Sequence, residues 1–246
     1  MVENRPFLSV LSHFVLIVGV LIVAFPIWIT FVAASHDAVR MTQVPLPLWP
    51  GDQFLVNLKL ALGRGIEGAS GVPAGTMLFN SMVMAVSIAL GKIVISMLSA
   101  FAIVYFDFRF RMGFFWLIFV TLMLPVEVRI LPTFEVVAQL GMLNSYWGLT
   151  IPLIASATAT FMFRQVFLTI PDELLEAARI DGAGPMKFFF DIVVPMSRTN
   201  IAALFVILFI YGWNQYLWPL LVTTEQDMYT VVMGIAQRLR AAEQYP

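Results

Sequence analysis

Long apolar runs are the feature that most constrains how this chain can fold. Residues 14–34 form one such run, and comparable runs recur along the 246 residues. Apolar residues make up 60% of the chain and charged residues 12%, whereas a typical soluble domain has about 25% charged residues. Runs of this length match the thickness of a lipid bilayer. The sequence therefore predicts an all-α integral membrane protein, a polytopic helical bundle formed by a single domain over residues 1–246.

Five stretches are long enough to cross a membrane, since a spanning helix needs about 20 mainly apolar residues. They cover residues 11–34, 77–106, 113–131, 146–168 and 200–222. Pro26, Pro125 and Pro152 lie inside these stretches and are expected to kink or break them, because proline lacks the amide proton of the helical ladder. Small residues at four-residue spacing predict close helix packing along the second stretch; they are Ser81, Ala85, Ala89, Ser96 and Ala100.

Basic residues in the loops set the predicted orientation, because Lys and Arg near span ends resist translocation. Arg109 and Arg111 lie in the short loop after the second span, and three more basic residues lie in residues 169–199. Residues 35–76 are a longer stretch with only three. This asymmetry predicts a cytoplasmic amino terminus, a periplasmic loop at residues 35–76 with turns and one short helix, and a cytoplasmic loop after the fourth span.

The cytoplasmic loop carries strong helix signals although it lies outside the bilayer. Thr169 and Asp172 form an S/T-x-x-D/E capping pattern, which predicts a helix start. Gly182 predicts its end, because glycine adopts the left-handed conformation without steric cost. A second short helix is expected to begin near Pro185 and to stop by Pro195, since proline cannot continue the hydrogen-bond ladder.

One face of the first of these helices combines apolar, small and acidic residues at i, i+3, i+4 and i+7 spacing. The residues are Leu174, Ala177, Ala178 and Asp181. A narrow face with small residues at its centre suits a groove on a partner protein. The pattern is equally compatible with a hairpin that packs only on its own protein.

The same segment resembles the EAA motif of ABC importer permeases, whose pattern is E-A-A-x3-G-x9-I-x-L-P. Val194 is the one departure, where leucine is usual. The resemblance implies the type I ABC importer fold, in which this loop is a coupling helix that docks on a cytoplasmic ATPase. The matching residues are Glu176, Ala177, Ala178, Gly182, Ile192 and Pro195. ATPase coupling is therefore assigned to the first four, together with the neighbouring Leu174 and Asp181.

The resemblance also implies an assembly in the bacterial inner membrane. Its other members are a second homologous permease, two copies of an ABC ATPase and a periplasmic solute-binding protein that delivers a small-molecule cargo. ATP and Mg belong to the ATPase, because this chain has no G-x4-G-K-S/T phosphate loop. No cofactor, metal or nucleic acid is expected on the chain itself, and the protein is expected to be a transport component rather than an enzyme.

Further segments look closer to permeases of glycerol 3-phosphate importers than to maltose-type relatives. These segments are residues 3–6, 96–105, 122–130 and 212–221. The resemblance implies sn-glycerol 3-phosphate or a glycerophosphodiester as cargo, with a neutral sugar or polyol as the alternative. Members of the family commonly have six spans, so a sixth is expected beyond the five visible here.

Charged residues at bilayer depth are costly unless they are paired or face an aqueous cavity. Lys92 lies near the middle of the second span, and Arg129 lies near the outer end of the third, between Glu127 and Glu135. Both cations suit a phosphate ester, through charge-assisted hydrogen bonds. They are therefore candidates for the cargo route. The alternative is that Arg129 pairs with a neighbouring glutamate while Lys92 snorkels or pairs between helices.

Uncharged polar residues complete the candidate sites. Asn214 and Gln215 lie in the fifth span and either contact cargo or bond between helices. The absence of cysteine, of H-E-x-x-H and of G-x-S-x-G argues against an intramembrane enzyme. An ion-coupled secondary transporter is the alternative from another class, since such proteins also use intramembrane charges.

Overall fold

Helices form every regular element in the described part of the computed structural model. The description covers residues 6–63, 72–121 and 124–244, with side chains except at positions 6, 7, 126, 127, 238 and 241–244. Residues 3–5 and 122–123, which belong to two of the resembling segments, and the Glu127 side chain lie outside it. The chain divides into two units, Met1–Ile66 and Glu67–Pro246.

The first unit consists of one long helix and two short ones. Their bounds are α1 Pro6–Ala34, α2 Ala38–Met41 and α3 Phe54–Gly63. The described part of the loop thus contains two short helices where one was predicted. The end of α1 is held by polar contacts, since the Asn57 side chain donates hydrogen bonds to the Ala34 and His36 carbonyls. The Trp28 indole donates to the Leu48 carbonyl in the same way.

The second unit is built around one central helix, α4, at Ala74–Tyr105. Next along the chain come α5 Arg111–Val120, α6 Val126–Gln139, α7 Tyr146–Thr150, a 3-10 turn at Ile151–Leu153 and α8 Ala157–Phe167. Then follow α9 Asp172–Ile180, α10 Pro185–Phe188, a π-helical turn at Phe189–Val193 and α11 Val194–Met196. The last are α12 Arg198–Trp213, α13 Leu217–Val222, a 3-10 turn at Gln226–Met228 and α14 Val231–Gln244.

Small residues let the neighbouring helices approach α4 closely, as their spacing predicts. The five residues of the four-residue pattern are at most 1% exposed. At one crossing, a Cβ atom added to Gly212 of α12 would lie only 2.9 Å from the Ala85 Cα. The helices α8 and α12 both pack along α4. The predicted close packing is confirmed.

Prolines divide two of the predicted spans. The stretch 113–131 is two helices, and Pro125 is the residue that precedes α6. Within residues 146–168, Pro152 falls in the 3-10 turn, and α7 with this turn meets α8 at 51°. The prediction for Pro26 is wrong in so far as it expected a break, because α1 continues through it.

The predicted fifth span is also interrupted. Helix α12 ends at Trp213, and α13 begins at Leu217. Pro219 explains the break, because its ring would clash with the carbonyl four residues earlier in a continuous helix. Among the described residues, two helices are long and apolar enough to cross a membrane, and two bent pairs raise that number to four. The number of five spans stays a prediction.

Buried apolar residues of the second unit form two clusters at different levels of α4. The first joins the carboxyl-terminal half of α4 to α8, α12 and residues 170–193; its members include Ile93, Phe101, Phe163, Ala178, Phe188 and Leu204. The second lies towards the start of α4 and includes Met84, Ile88, Ile130, Leu149, Trp218 and Val222. Lys92 lies on α4 one turn after Ile88 of the second cluster and next to Ile93 of the first.

Candidate functional site

The first feature is a helical hairpin formed by residues 172–196. Helix α9 begins at Asp172, with Asp172 and Glu173 in its first turn, where acidic side chains are favoured by the helix dipole. It ends at Ile180, and Gly182 has a φ of +72°. The Ala183 amide donates to the Ala178 carbonyl at 2.8 Å, which closes the helix end. The helix and its end before Gly182 are confirmed, and its start lies close to the predicted one, with Pro171 as the residue that precedes it.

Two details of the hairpin prediction are wrong. Thr169 does not cap α9, because its hydroxyl donates instead to the Val166 carbonyl of the preceding turn at 2.7 Å. The second half of the hairpin does not stop at Pro195 but runs through it to Met196. The intervening π-helical turn, Phe189–Val193, shifts the hydrogen-bond register just before the proline. Helix α12 then leaves at 74° to the second arm of the hairpin, Pro185–Met196.

The structure divides the predicted contact face of α9 between two surroundings. Ala178 is 6% exposed and belongs to the first apolar cluster, with Leu174 packed against the same cluster. Ala177 and Asp181 are exposed, as are Glu176 and Gly182. The outward face is instead a second i, i+3, i+4, i+7 set, offset by one residue, and it consists of Glu173, Glu176, Ala177 and Ile180.

Aromatic contacts fix the hairpin to the end of α4. The rings of Phe101 and Phe189 lie 4.9 Å apart, and those of Tyr105 and Phe188 lie 5.1 Å apart. The Tyr105 hydroxyl also donates to the Phe167 carbonyl of α8 at 3.2 Å. Because α4 rises 1.5 Å per residue, Tyr105 lies about 20 Å along the helix from Lys92. The hairpin and the middle of α4 are therefore joined by one continuous helix.

The second feature is a cavity of about 120 Å³ that Lys92 and Arg129 both line. We call it the cation cavity. Other polar or aromatic groups on its wall are Thr133, Tyr211, Gln215 and Trp218. No acidic residue lines it in the described part of the chain. The structure thus brings together three of the four residues predicted for the cargo route.

Lys92 is buried without a counter-ion among the described residues. Its side chain is 6% exposed, and its ammonium nitrogen lies 3.8 Å from the centre of the Tyr211 ring. A cation–π contact is worth about 0.5–1 kcal/mol at an exposed site and about 2 kcal/mol when desolvated, and Tyr211 is 37% exposed. Either value is less than the several kcal/mol that an isolated buried charge costs. The ring alone therefore compensates the charge only in part.

Arg129 is exposed and makes no ion pair or side-chain hydrogen bond with a described residue. The predicted alternative pairing with Glu135 is absent from the structure, and the Glu127 side chain lies outside the described residues. The Thr133 hydroxyl donates to the Arg129 carbonyl, one turn earlier on α6. The cavity thus presents two cations that no described carboxylate neutralises.

Asn214 and Gln215 have different surroundings although they are adjacent. Gln215 lines the cation cavity, and its side-chain nitrogen donates to the Tyr211 carbonyl at 3.2 Å. Asn214 is exposed, follows α12 and does not line the cavity. The sequence analysis missed Tyr211 and Thr133. Thr133 lies four residues after Arg129 on α6, and Tyr211 lies four residues before Gln215 in the predicted fifth span, which was the available signal.

Comparisons with known proteins agree with this architecture. The family described as "Binding-protein-dependent transport system inner membrane component" matches residues 92–245, more than half of the chain. The relative from Agrobacterium fabrum, called "sn-glycerol-3-phosphate transport system permease protein UgpE", is 61% identical over 96% of this chain and 83% of its own. Proteins of the same name from Yersinia enterocolitica and Escherichia coli are 60% and 59% identical, over 98% and 99% of this chain and 86% of each relative.

A solved structure supports the fold. It is described as a bacterial ABC transporter involved in the import of the acidic polysaccharide alginate, and it superposes with a TM-score of 0.78 at 20% identity. The match covers 96% of this chain and 80% of that chain. The predicted all-α permease fold is confirmed, as is a transport component rather than an enzyme. The chain belongs to the family of inner membrane components of binding-protein-dependent transport systems.

Proposed function

We propose that this chain is a transmembrane permease subunit of an ATP-driven importer for sn-glycerol 3-phosphate. The observation that carries the proposal is the helical hairpin, which exposes Glu176, Ala177 and Ile180 while Ala178 anchors it to the protein's own core. A helix held firmly on one side and open on the other suits transmission of force from a partner. The cargo is proposed from the three relatives at 59–61% identity.

The proposed assembly follows the sequence prediction. It contains a second, homologous permease, two copies of a cytoplasmic ABC ATPase that use ATP and Mg, and a periplasmic solute-binding protein. The amino terminus and the hairpin lie on the cytoplasmic side in this proposal. Helix α1 supports a membrane environment for the first unit, because only 6% of its most apolar 18-residue part is buried in the protein.

Coupling in this proposal runs from the hairpin through α4. When the ATPase dimer closes on ATP, it moves the outward face of α9. The Phe101–Phe189 and Tyr105–Phe188 contacts then transfer the movement to α4, which carries Lys92. Alternating access requires two packing arrangements of the bundle, of which the ATP-bound and resting ATPase each favour one. Each cycle thereby opens the cation cavity to one side of the membrane and closes it to the other.

Uptake into proteoliposomes tests the proposal. The complete assembly is reconstituted with the solute-binding protein, and uptake of labelled sn-glycerol 3-phosphate is compared with uptake of glycerol, with ATP or ADP inside. We expect uptake of the phosphate ester that depends on ATP and on the binding protein. Uptake of a neutral sugar or polyol in its place would refute the cargo, and uptake by this chain alone under an ion gradient would refute the importer.

A further inference from the structure

We propose that the cation cavity binds the phosphoryl group of the cargo, and that the Tyr211 ring holds the Lys92 ammonium until the phosphate takes its place. This inference rests on the proposed function and adds to it the residues that recognise the charged end of the cargo. It also gives Tyr211 a role, as a group that competes with the cargo for Lys92.

The charge on the cavity wall is the first argument. Two cations converge on it, and no described acid neutralises either of them. A phosphate monoester carries a charge of about −1.5 to −2 at pH 7 and offers three acceptor oxygens. Ammonium and guanidinium groups donate strong hydrogen bonds to such oxygens. A phosphoryl group therefore supplies the negative charge that the wall lacks, whereas a neutral polyol does not.

Burial of Lys92 is the second argument. An exposed lysine needs no partner, but this one is 6% exposed at mid-helix, and among the described residues its ammonium has an aromatic face beside it and no carboxylate. The face of an aromatic ring attracts a cation more weakly than a carboxylate does at the same depth. A permanent carboxylate partner would hold the ammonium against an incoming phosphate. A ring keeps it in place and still releases it.

Gln215 adds an uncharged polar group to the wall of the site. Its amide nitrogen is engaged by the Tyr211 carbonyl, while its carbonyl oxygen has no donor among the described residues. That oxygen is an acceptor for a hydroxyl of the glycerol moiety. The cavity thus has cationic donors for the phosphoryl group and an acceptor for the alcohol, which matches the two ends of a glycerol phosphate.

The test measures KM and the maximal rate of sn-glycerol 3-phosphate uptake by the complete reconstituted assembly. Lys92→Gln and Arg129→Gln each remove one cation, and we expect each to raise KM about 10-fold or more, because each loses a charged hydrogen bond. Lys92→Arg keeps the charge and is expected to restore most of the lost affinity. Arg111→Gln is the matched control, since Arg111 is a cation outside the cavity that pairs with Asp107.

Substitutions of Tyr211 test the second part. Tyr211→Phe keeps the aromatic face and is expected to leave KM within about twofold. Tyr211→Leu removes the ring that competes with the phosphate for Lys92. The cargo should then bind more tightly, so KM is expected to fall, and it should leave the cavity more slowly, so the maximal rate is expected to fall as well. The role of the ring would be refuted if Tyr211→Leu left KM and the maximal rate unchanged. It would also be refuted if Tyr211→Phe lowered both quantities as much as Tyr211→Leu does.

The outcomes separate this inference from the proposed function. If the wild-type assembly takes up no sn-glycerol 3-phosphate, the proposed function fails. If it does so and Lys92→Gln and Arg129→Gln keep the wild-type KM, only the phosphoryl site fails. Arg129→Gln protects the test against a folding defect, because Arg129 is exposed and its loss leaves no buried group unpaired.

Discussion

The helical hairpin and the cation cavity place their charges in opposite ways. On the hairpin, the carboxylates of Glu173 and Glu176 point outwards from a helix that rests on an apolar cluster. In the cavity, Lys92 is buried inside the bundle, and the exposed Arg129 lines the same small space. Outward charges on a fixed helix are available to a large partner, whereas inward charges are available only to a small ligand. The difference supports the proposal that one region transmits force and the other recognises cargo.

One helix connects these two regions. The aromatic residues at the end of α4 hold the hairpin, and Lys92 in its middle lines the cavity. If this division is correct, changes in the hairpin lower coupling without changing the affinity for cargo. Changes in the cavity lower the affinity for cargo without changing the coupling to the ATPase. Three substitutions in the hairpin test the division, from the largest expected effect to the smallest.

Ala178→Asp is expected to have the largest effect. It places a carboxylate in the apolar cluster beneath α9, where the wild-type side chain is 6% exposed. An unpaired buried charge costs several kcal/mol, so the hairpin should detach and uptake should be lost. Measurement of uptake and of ATPase co-purification checks this result. Ala178→Ser, a small polar change, serves as the control and should retain most of both, and wild-type coupling in Ala178→Asp would contradict the anchoring role.

Gly182→Val is expected to have an intermediate effect. Gly182 has a φ of +72°, and nothing lies within 4 Å of an added Cβ atom. The cost is therefore the backbone strain of a side chain in the left-handed region, about 1–2 kcal/mol. Gly184→Val is the matched control, since Gly184 has an extended backbone with a φ of −72° and is equally open. Cargo-stimulated ATP hydrolysis should fall in the first variant and not in the second.

Glu176→Lys is expected to have the smallest effect on the chain itself. Glu176 is exposed, so the reversal of its charge should leave the thermal stability of the purified chain unchanged. The charge lies on the proposed docking face, so retention of the ATPase during co-purification should fall in a salt-dependent way. A variant that retains the ATPase at wild-type levels at low salt would show that this face does not dock.

The structure and the sequence agree best where signals are local. Gly182 and Pro185 predicted the turn of the hairpin, because each fixes the backbone at its own position. The capping prediction for Thr169 is wrong because a threonine hydroxyl bonds equally well to the preceding turn, and it does so here. Apolar content placed the stretches 113–131 and 200–222. Pro125 predicted the break in the first stretch, whereas the break in the second was not predicted.

Contacts between distant parts of the chain were not predictable from the sequence. Lys92 and Arg129 were candidates because charge is rare in apolar stretches. Nothing in the sequence placed Tyr211 beneath Lys92, since that contact depends on how α12 crosses α4 at Gly212. The division of α9 into a buried and an exposed side also depends on packing, because Leu174 and Ala177 look alike to a helical pattern.

Site-directed cross-linking tests the central claim most directly. The chain contains no cysteine, so Ile180→Cys, at a side chain that is 85% exposed on the outward face of α9, gives a single reactive position. We predict that a thiol-reactive cross-linker joins this position to the ATPase in the membrane-embedded assembly, with a yield that changes when ATP is added. Val128→Cys on α6, 63% exposed, is the control and should not join to the ATPase. Labelling of Ile180→Cys by an impermeant reagent from the periplasmic side, without cross-linking to the ATPase, would contradict the account.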